Sequence, residues 1–180
     1  MSKIKCNFVF IKEEYFKQNS QLEEMLDPYD IVKQIQRQYV FLKIQYKNNN
    51  ILVPLRSELP FNKKIGDIGY PVPSKKKIHA GLDFRKILIV NNSSYIELSK
   101  YPKIPKSQQQ IIEQNYPSIE KRVLQYINGY IRSALKKREK RDKKYKFSTL
   151  HNFHDALGII KSLTEKKKSH QEIAISRDNA

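Results

Sequence analysis

The sequence predicts an α+β domain, with several strands in an antiparallel sheet followed by helices packed on one side. Three observations carry that expectation. Side chains alternate with period two through Tyr39–Tyr46 (YVFLKIQY), where Val40, Leu42, Ile44 and Tyr46 share one face and Lys43 and Gln45 the other. Near residue 107 the period changes to helical, as Ile119, Val123, Ile127, Ile131 and Leu135 step by four. Several strand-like runs are followed by the main helical ones, which argues for an α+β domain.

Asn7–Ile11 (NFVFI) reads as the first strand, and Glu13–Met25 as a short helix anchored by Tyr15, Phe16, Leu22 and Met25, with a loop at Asp27-Pro28. Ile31–Gln36 fits either a helix or a lead into the next strand. Asn48-Asn49-Asn50 suits a hairpin turn, because asparagine tolerates left-handed backbone angles and bonds its own main chain. Ile51-Leu52-Val53 returns as the partner strand. Pro54 cannot donate to a ladder, so it marks an edge or a bulge and lets the chain leave the sheet at Leu55-Arg56-Ser57. Phe61–Lys77 reads as a mobile surface loop ending in the basic run Ser74–Lys77. Leu82–Phe84 and Lys86–Val90 follow as strands, and Tyr95–Leu98 closes a second hairpin through the Asn91–Ser94 turn. Pro117 sets a helix boundary or kink. The helix then runs to about Lys140, into Lys136–Lys146 (KKREKRDKKYK), where eight of eleven residues are basic. Ser148 is an N-cap candidate for a last helix bearing Leu150, Phe153, Leu157 and Ile160. Residues 1–160 are expected to form one domain, and 161–180 a polar, disordered tail. No internal repeat is visible.

With 35 Lys and Arg against 18 Asp and Glu, the formal net charge is +17. An excess of that size predicts a polyanionic partner, nucleic acid before an anionic membrane. No apolar run approaches membrane-spanning length, and the N-terminus lacks the apolar core of a signal peptide. One cysteine, Cys6, precludes an internal disulfide and fits a reducing, cytoplasmic setting.

The acidic residues are scattered, so a metal-dependent nuclease is not expected. His151 and His154 stand three apart and could face the same way, but no third ligand accompanies them in sequence, so neither a metal site nor a cofactor is expected. Phosphate-binding glycine loops and a nucleophile elbow are absent. What remains is binding without chemistry, or RNA cleavage without a metal. The latter uses the 2′-hydroxyl of RNA itself and needs only cations, a hydrogen-bond acceptor and a proton donor. Arg56, Ser57, Arg37, Tyr15 and His79 are candidates for those tasks. A strand end delivering Arg and Ser together is a good place to hold a phosphate. Lys63, Lys75, Lys76, Lys77, Lys136, Lys137, Arg138, Lys140, Arg141, Lys143 and Lys144 are candidates for gripping an RNA backbone. A non-catalytic RNA- or DNA-binding protein is the alternative.

The run YVFLKIQYKNNNILVPLRS (Tyr39–Ser57) resembles the core hairpin of the ToxN/AbiQ superfamily, the endoribonuclease toxins of type III toxin–antitoxin systems, and is most similar to the TenpN-like branch. Arg37-Gln38-Tyr39 resembles that branch's basic residue ahead of an aromatic-led strand, and Pro54–Ser57 its Pro-hydrophobe-Arg-Ser element. HAGLDFRKILIV (His79–Val90) resembles its Gly-(Ile/Leu)-Asp-(Tyr/Phe) strand start. Tyr95-Ile96, Ser118–Leu135 and Phe147–His154 follow in the family's order, so the similarity spans roughly residues 7–158. The resemblance implies a compact, strongly bent antiparallel β-sheet core with surrounding α-helices, and metal-independent cleavage to a 2′,3′-cyclic phosphate. It also implies inhibition by a repeat-derived, pseudoknotted RNA antitoxin that the toxin itself processes, ring-like toxin–RNA assembly, cellular or phage RNA as substrate, and a role in phage defence. The family's hydroxyl falls on Ser57 after Arg56, its basic residue on Arg37, and its N-terminal tyrosine on Tyr15. Where ToxN-like members carry a lysine two positions after the serine, this chain has Leu59, leaving Arg56, Lys63 or His79 to supply the cation. Tyr116 and Tyr126 are the nearest matches to the family's helix tyrosine.

Overall fold

The computed structural model describes residues 7–46, 48–60 and 67–164, with residues 41–46 as backbone alone. Lys63 and the segment from residue 165 onward lie outside the described residues. The strands are β1 (Asn7–Ile11), β2 (Tyr39–Tyr46), β3 (Asn49–Arg56), β4 (Gly69–Pro71), β5 (Gly81–Asp83), β6 (Leu88–Ile89) and β7 (Ile96–Leu98). All pairings are antiparallel, in the order β4-β5-β3-β2-β1-β7 with β6 also on β3. The helices are α1 (Glu13–Gln18), α2 (Ile31–Gln36), α3 (Lys106–Gln114) and α4 (Tyr116–Leu135). The α+β class is therefore the one the sequence predicts.

Helices cover both faces of the sheet, not one. Along each strand successive side chains point to opposite faces. Phe8, Val40, Ile51, Val53 and Ile89 join Ile119, Val123, Tyr126, Ile127 and Tyr130 of α4 in one buried cluster. Their neighbours Val9, Tyr39, Leu52 and Leu88 join Tyr15 and Phe16 of α1, with Ile31 and Ile35 of α2 packed against them.

Other expectations are corrected by pairing. The chain leaves the sheet only after Arg56, and Pro54 marks neither an edge nor a bulge, since β3 continues through it and changes partners on one side. Ile51 and Leu52 pair with β6, whereas Leu55 and Arg56 pair with β5. The Leu55 N–H bonds the Gln38 carbonyl at 3.1 Å on the β2 side, so by alternation the Pro54 nitrogen faces the gap between β6 and β5. No ladder bond is lost there, and a buried central proline is tolerated. The second hairpin does not form, because β7 pairs with β1 and β6 with β3. Glu13–Met25 is helical only as far as Gln18. Within the expected loop at Ser74–Lys77, two backbone bonds of 3.1 Å close a tight turn.

The boundary at Pro117 is real. Asn115 separates α3 from α4, and the proline sits in the first turn of α4, where its missing N–H costs nothing. α4 stops at Leu135, earlier than the period suggested. Arg138 N–H bonds the Ser133 carbonyl at 3.0 Å and Lys137 N–H the Ala134 carbonyl at 2.8 Å, with Lys137 at φ 54°. That is a Schellman termination with lysine in the left-handed position usually given to glycine. Lys136–Lys146 is accordingly a series of turns, not a helix end. Ser148 caps as expected, accepting from Leu150 N–H, but the element it opens is a short 3-10 helix, Thr149–Phe153. Residues 159–164 are helical, so the boundary expected at residue 160 falls within that helix.

Candidate functional site

The end of β3, the C-terminal end of α2, the Ser74–Lys77 turn and the segment leading into α3 surround a cavity of about 640 Å³. Among the described residues, seven basic side chains line it (Lys33, Arg37, Arg56, Lys75, Lys76, Lys77 and Lys103) and no acidic one. Ser57, Ser74, Ser107, Gln36, Gln38 and Gln108 add polar groups, while Leu55, Ala80, Ile104 and Pro105 supply an apolar wall. Cations for phosphate beside apolar surface for a base or ribose make a lining suited to a nucleic-acid segment.

Arg56 is held from behind. Its Nη1 donates to Asp83 Oδ2 at 2.9 Å, and Asp83 is fully buried. The same carboxylate accepts from Arg85 Nε (3.1 Å), Arg85 Nη2 (3.0 Å) and the Arg85 backbone N–H (3.0 Å). One buried negative charge thus serves two guanidiniums, leaving the trio net positive toward the cavity. Arg37, just after α2, pairs with Asp27, and its Nη1 donates to the Leu55 carbonyl at 3.3 Å. It is thereby fastened to the strand that carries Arg56 and Ser57. The Arg37 Nε is buried without a hydrogen-bond partner among the described residues. Lys33 bonds Asp30, and that bond raises the pKa of its ammonium. Gln38 is buried and spoken for, donating to the Val9 carbonyl at 2.9 Å and accepting from Lys103 N–H at 3.0 Å. It fixes the α3 approach against the sheet.

A second polar cluster lies at the far end of α4. Tyr130 Oη sits 2.8 Å from His151 Nδ1 and 2.7 Å from His154 Nε2, and Glu139 completes the group. Burial raises the Tyr130 phenol. Burial also lowers His154, only partly opposed by the Glu139 charge.

No protein-family model matches the chain, and no curated protein matches it closely enough to count as a relative. The fold does have a counterpart among solved structures. It is a chain from work on the mechanism of bacterial type III toxin–antitoxin systems and selective toxin inhibition by a non-coding RNA pseudoknot. The TM-score is 0.51 at 15% identity, over 68% of this chain and 77% of that one. The two share a fold. That likeness covers a bacterial toxin–antitoxin structure, and it agrees with the α+β architecture the sequence resemblance implies.

Of the residues singled out in sequence, the cavity brings together Arg37, Arg56, Ser57, Lys75, Lys76 and Lys77. Tyr15 is not among them: it is buried against Phe16 and Tyr95, at ring separations of 5.6 and 5.7 Å, and burial pushes its phenol up to about 12. His79 is exposed and outside the lining, although its carbonyl accepts from Leu59 N–H at 2.8 Å. Leu59 is a core residue, 4% exposed. It fills space that Gly69 and Gly81 leave open, since a Cβ on Gly81 would lie 2.7 Å from the leucine and 2.5 Å from the Tyr70 carbonyl. The position two after Ser57 therefore supplies packing, not charge. Tyr116 and Tyr126 are both buried. In the basic segment, Lys137, Arg141 and Lys143 are exposed, Lys140 pairs with Glu23 at 3.2 Å, and Lys144 Nζ lies 5.7 Å from the Tyr145 ring centre. Lys136 and Arg138 line a smaller hollow of about 290 Å³ with Asp142 and Tyr145.

Sequence reasoning missed Lys33, Lys103, Gln38 and the two buttressing acids. Asp83 had a signal, standing in the Gly81-Leu82-Asp83-Phe84 run beside the expected strand. Asp27 had none beyond its turn.

Proposed function

We propose that this chain is the toxin of a type III toxin–antitoxin system, in the TenpN-like branch of the ToxN/AbiQ superfamily, and that it cleaves RNA without a metal at the basic cavity. The observation that carries the reading is the convergence of Arg37, Arg56 and Ser57 with Lys75–Lys77 around one cavity that no acidic side chain lines among the described residues. A fold shared with a chain from a type III toxin–antitoxin study supports it.

In the proposed reaction the 2′-oxygen of the substrate attacks the adjacent phosphorus and the 5′-oxygen leaves, giving a 2′,3′-cyclic phosphate. The 2′-hydroxyl proton passes to water in the cavity and the 5′-oxygen gains one, so the step is balanced without a co-reactant. Arg56 and Arg37 stabilise charge as it builds on the non-bridging oxygens, preorganised by Asp83 and Asp27 so that little reorientation is needed. Ser57 donates to the same phosphate. The leaving oxygen takes its proton from the cavity lysines, since Leu59 is packed in the core and the His79 side chain lies outside the lining. Tyr15 takes no part. The exposed cations of Lys136–Lys146 hold the backbone of a repeat-derived, pseudoknotted RNA antitoxin, which the enzyme processes and with which it closes into a ring. Free toxin acts on cellular or phage RNA in the cytoplasm, as phage defence.

The test is incubation with total RNA in EDTA, wild type beside Arg56→Ala and Ser57→Ala, with end-group analysis. Cyclic-phosphate ends that both substitutions reduce by at least about a hundredfold, as loss of a transition-state hydrogen bond does, support the reading. RNA that is bound but left intact by the wild type leaves a binding protein and removes the cleavage.

A further inference from the structure

Glu139, His151 and His154 present ligand atoms that all lie within 4.8 Å of one another. His151 lies within the 3-10 helix Thr149–Phe153 and His154 caps its end, and Glu139 reaches them because the chain folds back after the left-handed Lys137. Tyr130 Oη from α4 touches both imidazoles.

Two details distinguish this group from ordinary packing. The His151 Nε2 lies 3.2 Å from the Lys146 carbonyl, which can only accept. Nε2 therefore carries the proton of the neutral ring, and Nδ1 turns a lone pair toward the cluster. An imidazole oriented by a carbonyl on its far nitrogen is the usual support for a metal-binding histidine. The Glu139 Oε2 is buried with no hydrogen-bond partner among the described residues, although eight of the eleven residues 136–146 are basic. A buried carboxylate oxygen without a partner calls for a cation, and the two imidazoles beside it say which kind.

We propose that Glu139, His151 and His154 bind a divalent transition-metal ion of the zinc class, with Tyr130 Oη or a water completing a tetrahedron. Two imidazoles and one carboxylate suit zinc, whereas calcium and magnesium take oxygen ligands. Bonds of about 2.0–2.1 Å put tetrahedral ligands roughly 3.4 Å apart, so side-chain rotation suffices to close the cluster. The ion ties the basic segment to α4 and to the 3-10 helix, holding its cations in one arrangement. The site shares no residue with the basic cavity, so the inference stands whether or not that cavity cleaves RNA.

The test uses the full chain without an affinity tag, stripped with EDTA and then desalted. Zinc binding is read by calorimetry, and cobalt(II) by its visible absorption. The expected result is one ion per chain, a tetrahedral cobalt spectrum and a higher melting temperature with zinc. Glu139→Gln and His154→Ala should each weaken binding by at least about tenfold. A variant lacking the other two of the four histidines, His79→Ala with His170→Ala, should bind as the wild type does. Circular dichroism shows which stripped variants are folded, and the near-isosteric Glu139→Gln decides the matter should His154→Ala unfold. No stoichiometric binding by the wild type, binding that survives Glu139→Gln, or binding lost with His79 and His170 overturns the site.

Discussion

Asp83 shows why one buried carboxylate matters more for stability than the arginine it presents. Arg56→Ala removes one of its partners but leaves the bonds from Arg85 intact, and the vacated side is the cavity, which water can fill. Asp83→Asn instead strips the charge from beneath two guanidiniums, one of them only 10% exposed at its side chain. Breaking a buried pair from one side costs about 3–5 kcal/mol, whereas loss of a partly solvated contact costs about 1 kcal/mol. Urea denaturation should therefore find Arg56→Ala within about 1 kcal/mol of wild type and Asp83→Asn at least 2 kcal/mol below it. Equal losses would mean that Asp83 does not carry this pair. The arginine itself was legible in the sequence, because Pro54–Ser57 ends a recognisable strand. Asp83 stood out within the Gly81–Phe84 run, but its place beneath Arg56 did not, because β3 meets β5 only through a change of sheet partner that no local pattern announces. Tyr15 teaches the same point from the other side: it was a candidate for chemistry in the sequence, and it is buried.

At the scale of elements, the basic segment depends on Gly129, nearly two turns before α4 ends at Leu135. Gly129 faces the Tyr145 hydroxyl so closely that an added Cβ would overlap it. Tyr145 is buried, with its ring edge-on to Tyr130 at 5.7 Å and to Tyr126 at 5.2 Å, and it pins the turns of Lys136–Lys146 back onto α4. Alanine in a helix interior normally gains about 1 kcal/mol over glycine. Here the gain is opposed by overpacking, which costs about 1–3 kcal/mol, because the tyrosine can yield only by giving up its edge-on contacts with Tyr126 and Tyr130. Gly129→Ala should lower the melting temperature and speed hydrogen exchange in residues 136–147. An unchanged or raised melting temperature would show that Tyr145 is not the clamp. The helix itself was plain from its four-residue spacing, as was the break at Pro117. Its end was hidden because the Schellman turn uses Lys137, where a glycine would have been the visible signal.

At the scale of the whole molecule, burial of tyrosine ties the fold to pH. Tyr15, Tyr39 and Tyr126 all have phenols raised by desolvation, Tyr15 to about 12. In the unfolded chain each ionises near pH 10. Below that pH both states hold the proton and the stabilisation is complete. Above it the unfolded chain loses protons that the native state keeps, and stability falls until the folded pKa is reached. Each such group contributes a slope of about 1.4 kcal/mol per pH unit, so the three together approach 4 kcal/mol per unit. A small domain has only about 5–15 kcal/mol to lose. Lysine deprotonation works the other way by reducing the self-repulsion of a +17 chain, but exposed charges interact weakly and do not match that slope. Circular dichroism should therefore be lost in one steep step within about two units above pH 10, together with a step in tyrosinate absorbance from the buried phenols. Tyr39→Phe, which keeps the packing and removes one titrating group, should shift that step to higher pH. Gradual tyrosine ionisation with the circular dichroism intact, or a midpoint unmoved by Tyr39→Phe, would mean that the two clusters flanking the sheet open to solvent before they ionise.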